Sequence, residues 1–125
     1  MRGSTPIARV LGLGSAKQGA HHWWIERVTA VALVPLGLWL AISLYALPDH
    51  SHATVAHFIG SGAHPTLMLM TLLTATWHSR LGVQVVVEDY VQGSLKSATI
   101  ILLAFVHALL AVGGTIAVLR LALTA

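Results

Sequence analysis

The sequence contains no cysteine among its 125 residues. This absence excludes structural disulfides, thiolate-bound metals and cysteine nucleophiles. Charged residues are also scarce, at 9% of the chain, and only four of them are acidic. A hydrophobic content of 56% and a mean hydropathy of +0.79 are too apolar for a soluble domain of this size to bury. The composition therefore predicts an integral membrane protein.

Histidine remains as the candidate metal ligand, with eight copies in the chain. Imidazole is well suited to hold haem iron where no thiolate is present. The formal charge of +3 comes mainly from basic residues near the amino end. No basic run or basic face with interleaved aromatic residues is present, so nucleic acid is not an expected partner.

Three apolar runs are each long enough to cross a bilayer as a helix, which takes about 20 residues. They cover residues 28–47, 66–87 and 98–122. Trp23 and Trp24 precede the first run, where lipid headgroups favour amphipathic rings. We therefore predict an all-α fold with three transmembrane helices over residues 19–125, preceded by a flexible cytoplasmic arm at residues 1–18.

The distribution of basic residues predicts the orientation in the membrane. Four of them precede the first run, namely Arg2, Arg9, Lys17 and Arg27. None lies between the first and second runs, and Lys96 lies between the second and third. The positive-inside rule then places the amino terminus and the loop at residues 89–96 in the cytoplasm, and the carboxyl terminus in the periplasm. The expected location is a bacterial cytoplasmic membrane, with the mitochondrial inner membrane as the alternative.

The stretch from His78 to Tyr90 carries most of the polar chemistry of the apolar region. A helix turns about 100° per residue, so His78 and Asp89 return to within about 20° of one face, roughly 16 Å apart along the axis. Ionisable residues in a membrane span are functional candidates. Small residues around His78, including Gly82, would leave clearance for a flat macrocycle.

Each of these polar residues has two or more interpretations. His78 is either a haem ligand or a histidine bonded to a carbonyl of a neighbouring helix, and a second ligand would come from His107 or from a partner chain. Asp89 and Tyr90 are either interfacial residues or the proton donors of a quinone site. Arg80 would cost about 2.5 to 3.5 kcal/mol at a helix centre, so we expect a haem propionate, a quinone oxygen or the interface beside it.

Two motifs carry a resemblance to a known family. They are His78-x3-Gly82-x6-Asp89-Tyr90 on the second run and Gly19-x-His21-x5-Arg27-x-Thr29-Ala30 before the first. In these motifs the chain resembles the small hydrophobic membrane-anchor subunit of succinate dehydrogenase, respiratory complex II, of the SdhD type. The resemblance covers roughly residue 19 to the carboxyl end. The paired histidines and tryptophans at residues 21–24 are typical of the alphaproteobacterial form, with a mitochondrial form as the alternative.

The resemblance implies a role for each matching residue. His78 would be one axial ligand of the iron of a haem b, and the large cytochrome b anchor subunit would supply the other while packing with this chain into a larger bundle. Arg27 and His21 would approach the haem propionates from the cytoplasmic boundary. Tyr90 would donate a hydrogen bond to a carbonyl of ubiquinone, with Asp89 beside it. His107 then has no role as a ligand.

The function implied is that of an anchor without catalytic activity of its own. It would hold the flavoprotein and iron-sulfur subunits at the membrane, so that electrons from succinate reach ubiquinone. One alternative is the anchor of a quinol:fumarate reductase, which uses similar parts in the opposite direction. Another is a non-redox membrane subunit for transport or proton relay.

Overall fold

The computed structural model describes residues 16–124 of the chain, and these residues form four α helices joined by short connections. The helices are α1 (Ala16–Tyr45), α2 (His52–Gly60), α3 (His64–Tyr90) and α4 (Gly93–Thr124). The predicted all-α class is confirmed for these residues. Of the predicted amino-terminal arm, residues 1–15 lie outside the described residues, and α1 begins at Ala16.

Two of the described helices are long and apolar enough to cross a membrane. They are the Gly19–Tyr45 part of α1 and the whole of α4. Only 6% of the most apolar window of each is buried inside the chain, so most of their apolar surface is exposed. The 27 residues of α3 would reach about 40 Å, which is long enough to cross a membrane. Its polar residues lower its hydropathy, however, so it is not one of the two helices that qualify by length and composition. The transmembrane assignment of residues 66–87 stays a prediction.

The connections explain how the helices are arranged. Gly62 and Gly93 have positive φ angles, 58° and 65°, which glycine adopts without the clash that a side chain would cause. Gly62 lies two residues before α3 and Gly93 is the first residue of α4, so the chain can turn between consecutive helices within two or three residues. Ser51 caps α2 by accepting a hydrogen bond from the Thr54 amide. Hydrogen bonds from the Ser51 side chain and amide lower the pKa of the exposed Asp49 carboxyl below its usual value.

The third helix is the centre of the assembly. It packs against α1 on one side and α4 on another, while the short α2 lies against α3 and α4. Five apolar side chains are buried, each 7–8% exposed: Leu36, Phe58, Leu81, Val87 and Val118. Among residues 19–124, none has a side chain that is fully buried. The chain therefore has little interior of its own, and most of its apolar surface is available to lipid or other subunits.

Candidate functional site

His78 is held by a contact between α3 and α1. Its Nδ1 lies 3.0 Å from the Thr29 hydroxyl oxygen, and both residues are partly buried. The same hydroxyl lies 2.9 Å from the Ile25 carbonyl oxygen and 3.0 Å from that of Glu26. The His78 ring is thus held through one nitrogen. The sequence left open a hydrogen bond to a carbonyl of a neighbouring helix, whereas in the structure the partner is a hydroxyl of α1.

The α3 surface carries no side chain at Gly82, one turn beyond His78. A Cβ placed on Gly82 would meet nothing within 4 Å. The described residues contain no cluster of three or more histidine or acidic side chains that could hold a metal ion by themselves. Haem iron is bound by its porphyrin and needs only axial ligands, so a single histidine beside open space is a suitable donor.

His107 on α4 differs from His78 because both of its ring nitrogens have partners. Nδ1 donates to the Leu103 carbonyl at 2.9 Å, and Nε2 lies 3.3 Å from the Ser79 hydroxyl. The side chain is 8% exposed. With Nδ1 as donor, Nε2 accepts the hydroxyl proton of Ser79, so neither nitrogen is left for a metal. His107 is a hydrogen-bonded core histidine that joins α4 to α3.

The two candidate residues for the haem propionates lie on α1. Arg27 is exposed, and its guanidinium carbon lies 5.4 Å from the centroid of the Trp23 ring. Arg27 is within about 3 Å of Thr29 along the helix axis but about 160° away around it. It therefore lies near the depth of His78 without facing α3. His21 is exposed and lies about 12 Å further toward the amino end than Thr29.

Arg80 lies on a different side of α3 from His78. It is partly buried, and its guanidinium carbon is 5.7 Å from the centroid of the Trp77 ring, a cation–π distance. A cavity of about 260 Å³ opens beside it between α3 and α4. This cavity is bordered by Arg80, His107 and small side chains of α4, including Ala104, Ala108 and Ala111. The aromatic contact was not predicted from the sequence.

Asp89 and Tyr90 lie together at the carboxyl end of α3, and both are exposed, Tyr90 to 83%. The hydrogen bonds at this end go to Glu88 instead. Its carboxylate accepts from the Gln84 side-chain amide at 2.7 Å, and its carbonyl accepts from Lys96 Nζ at 2.8 Å. The phenol and carboxylate are therefore presented outward, about 18 Å along the helix axis from His78.

Two of the four histidines at residues 50–64, His50 and His64, contact carbonyls near helix ends. His50 Nε2 lies 3.1 Å from the Leu44 carbonyl, near the end of α1. His64 Nδ1 lies 2.8 Å from the Phe58 carbonyl, and its ring is 4.3 Å from that of Phe58. The Leu44 carbonyl also accepts from the Leu47 amide at 3.3 Å, whereas His64 supplies the partner of the Phe58 carbonyl near the end of α2, where carbonyls lack partners within the helix.

The structure brings together some of the predicted residues and separates others. Asp89 and Tyr90 share one helix end, whereas the hydrogen bond of His78 goes to Thr29 and the guanidinium of Arg27 lies over Trp23. Two contributing residues, Thr29 and Ser79, were given no role from the sequence. Thr29 did have a signal, since it is a hydroxyl residue just inside an apolar run and lies within the amino-terminal motif.

Comparison with known proteins gives consistent matches. The family model described as succinate dehydrogenase/fumarate reductase transmembrane subunit matches residues 1–115. The succinate dehydrogenase hydrophobic membrane anchor subunit of Rickettsia bellii is 35% identical over 99 residues, which is 77% of each chain. That of Paracoccus denitrificans is 32% identical over 102 residues, covering 81% of this chain and 78% of the relative. The succinate dehydrogenase membrane anchor subunit of Reclinomonas americana is 35% identical over 91 residues, covering 62% and 67%.

No solved structure matches the chain. Rickettsia and Paracoccus are alphaproteobacteria, in agreement with the form indicated by the amino-terminal motif. The family match covers most of the sequence, including both motifs. The resemblance found in the sequence is thereby confirmed, and the chain belongs to the family of succinate dehydrogenase/fumarate reductase transmembrane subunits.

Proposed function

We propose that the chain is the small membrane anchor of a succinate:ubiquinone oxidoreductase in a bacterial cytoplasmic membrane. In this role it contributes one axial ligand of a haem b and part of a ubiquinone site. The names of its relatives support the anchor role. The extensive exposed apolar surface supports a membrane location with a second anchor subunit packed against the chain.

The proposed haem site rests on the hydrogen bonding of the two histidines in the long helices, His78 and His107. His78 has one nitrogen bonded to Thr29 and open space beside Gly82, whereas both nitrogens of His107 have protein partners. His78 is therefore the histidine that fits an iron ligand. A haem b held here by His78 would supply one-electron transfer. As the family resemblance implies, the large cytochrome b subunit would supply the second ligand, and the two hydrogen-bonded nitrogens of His107 agree with this.

Arg27 and His21 are the cationic and polar groups available to the haem propionates. Both are exposed on α1 rather than packed against α3. A guanidinium can bind a carboxylate through two parallel hydrogen bonds. Since Arg27 faces away from α3, its carboxylate partner would lie at the contact with the large subunit, near the depth of His78.

Tyr90 and Asp89 are the residues we assign to ubiquinone. Reduction of a quinone to a quinol takes two electrons and two protons, so the site needs a hydrogen-bond donor and a proton carrier. The Tyr90 hydroxyl can donate to a quinone carbonyl, and the Asp89 carboxyl can exchange protons with water. Both side chains are exposed in this chain. The remaining walls of the site would come from the large anchor subunit and the iron-sulfur subunit.

The orientation follows from the basic residues. Arg27 in the amino-terminal half of α1 and Lys96 near the start of α4 lie toward the same end of the assembly as Tyr90, and this end is assigned to the cytoplasm. The flavoprotein and iron-sulfur subunits would dock there. The carboxyl terminus then lies in the periplasm.

A quinol:fumarate reductase anchor is the second candidate, because the matching family description includes both enzymes. The residues of this chain would serve either direction. Direction depends on the reduction potential of the quinone, and assays of succinate oxidation and fumarate reduction with purified complex would distinguish the two.

The test of the proposed function is purification of the intact complex through a tag on this chain. We expect three further subunits, a reduced-minus-oxidised spectrum typical of a b-type haem, and succinate:ubiquinone reductase activity. A chain that purifies without flavoprotein and iron-sulfur subunits and without activity would contradict the anchor role. A complete active complex without b-type absorbance would contradict the haem site alone.

A further inference from the structure

We infer that Thr29 is a positioning residue for His78: its hydroxyl accepts a hydrogen bond from Nδ1–H and so fixes the ring tautomer whose Nε2 can bind iron. This inference rests on the proposed haem site. It concerns α1 and α3 of this chain alone. The carrying observation is the set of three short distances around one hydroxyl group.

The proton of the Thr29 hydroxyl determines the direction of these hydrogen bonds. A hydroxyl has one proton and two lone pairs. The carbonyls of Ile25 and Glu26, at 2.9 and 3.0 Å, can only accept. If the proton pointed to His78 instead, the hydroxyl oxygen would face two carbonyl oxygens with no proton between them. Donation to the carbonyls leaves a lone pair for His78, so the ring nitrogen at 3.0 Å must be the donor.

A neutral imidazole carries only one N–H, so placing it on Nδ1 leaves the lone pair on Nε2. The two nitrogens lie on different sides of the ring, and Nε2 is directed away from Thr29. Among residues 16–124, the hydrogen bond to Thr29 is the one that orients the ring. Such bonds to the second nitrogen fix the tautomer of a metal-binding histidine and raise its basicity.

The hydrogen bond between Thr29 and His78 also affects the electron density of the His78 ring. An acceptor at Nδ1–H increases electron density at Nε2, which favours ferric over ferrous iron. Losing the acceptor should therefore raise the midpoint potential of the haem. A tenfold weaker preference for ferric iron corresponds to a rise of about 59 mV for a one-electron couple.

The experiment compares variants of the purified complex. Thr29→Val removes the hydroxyl but keeps the branched shape of the side chain, and Thr29→Ala removes both. Thr29→Ser retains the hydroxyl. Thr76→Val is the matched control, because Thr76 donates to the Leu72 carbonyl at 2.7 Å in the same way but has no histidine partner. The measurements are the midpoint potential and the rate of haem transfer to an excess of apomyoglobin.

We expect valine and alanine to raise the potential and to weaken haem binding about 10- to 100-fold, the usual effect of losing such a partner. Serine and the Thr76→Val control should behave as the unmodified complex does. If valine prevents assembly, alanine provides the same comparison.

Other results would overturn the inference in distinguishable ways. Unchanged potential and haem release in both hydroxyl-free variants would remove the role of Thr29 while leaving His78 as the ligand. A serine variant as altered as the valine variant would assign the effect to packing. An unmodified complex without b-type haem would overturn the haem site itself, and the role of Thr29 with it.

Discussion

The Ser79 hydroxyl lies 3.3 Å from Nε2 of His107, so α3 and α4 are joined by a polar contact directly next to the contact of His78 with α1. Consecutive residues on a helix are about 100° apart around its axis, so His78 can contact α1 while Ser79 contacts α4. The polar part of α3 therefore contacts both long helices. One of these contacts leaves a nitrogen available for a ligand, and the other leaves none.

The Ser79–His107 contact should contribute to stability but not to haem binding. Ser79→Ala leaves the Nε2 atom of a buried histidine without its donor. Measured couplings of this kind in membrane proteins average about 0.6 kcal/mol. We expect a double-mutant cycle with His107→Leu to give a coupling of about that size in denaturation of the complex. The b-type spectrum of Ser79→Ala should be unchanged, and its loss would contradict a purely structural role.

Replacing His78 tests the iron ligand. His78→Ala should abolish the low-spin b-type spectrum or convert it to a different spin state, because one axial imidazole is lost. The matched control is His107→Gln, which alters the other histidine held between two of the long helices and should retain the spectrum. An unchanged low-spin spectrum in His78→Ala, measured as a reduced-minus-oxidised difference, would rule out His78 as the ligand.

Replacing Tyr90 tests the quinone site. Tyr90→Phe removes one hydroxyl and should lower succinate:ubiquinone reductase activity about tenfold, the effect of one hydrogen bond worth about 1.4 kcal/mol. Succinate oxidation with an artificial acceptor should be unaffected, since that reaction does not use the quinone.

A control for Tyr90 exists at the other end of the assembly. Tyr45 ends α1, is 90% exposed, and lies on the opposite side of the membrane from Tyr90 in the proposed orientation. Tyr45→Phe should leave both assays unchanged. Equal loss of both activities in Tyr90→Phe would indicate faulty assembly rather than a role in binding quinone.

The adjacent glycines of α4 offer a test of helix packing. A Cβ on Gly114 would lie 2.6 Å from Leu72 Cδ2, whereas one on Gly113 would meet nothing within 4 Å. Gly114→Val should therefore destabilise the contact of α3 with α4, by about 1 to 3 kcal/mol. Gly113→Val should cost far less, and Leu72→Ala should partly restore Gly114→Val. Thermal denaturation of the complex in detergent would measure all three, and equal effects of the two valines would contradict this packing.

The helix boundaries illustrate how far apolar runs predict a membrane fold. The predicted runs at residues 28–47 and 98–122 correspond to α1 and α4. The α1 helix begins well before its run but ends at Tyr45, just short of the predicted end, whereas α4 extends beyond its run at both ends. Hydropathy marks the part of a helix that contacts lipid, whereas backbone hydrogen bonds continue outside the hydrocarbon. This is why α1 begins at Ala16, well before the apolar run at residue 28. The interrupted run at residues 66–87 does form one continuous helix, α3.

The sequence by itself determined the membrane class, the helical fold and the family, because these depend on composition and on motifs local to the chain. It also identified His78, Asp89 and Tyr90 as candidates. Only the tertiary structure decided which groups meet across helices. Thr29 and His78 are 49 residues apart, and their contact depends on the rotation of α1 against α3. That rotation is set by packing of whole helix faces, which no single stretch of sequence contains.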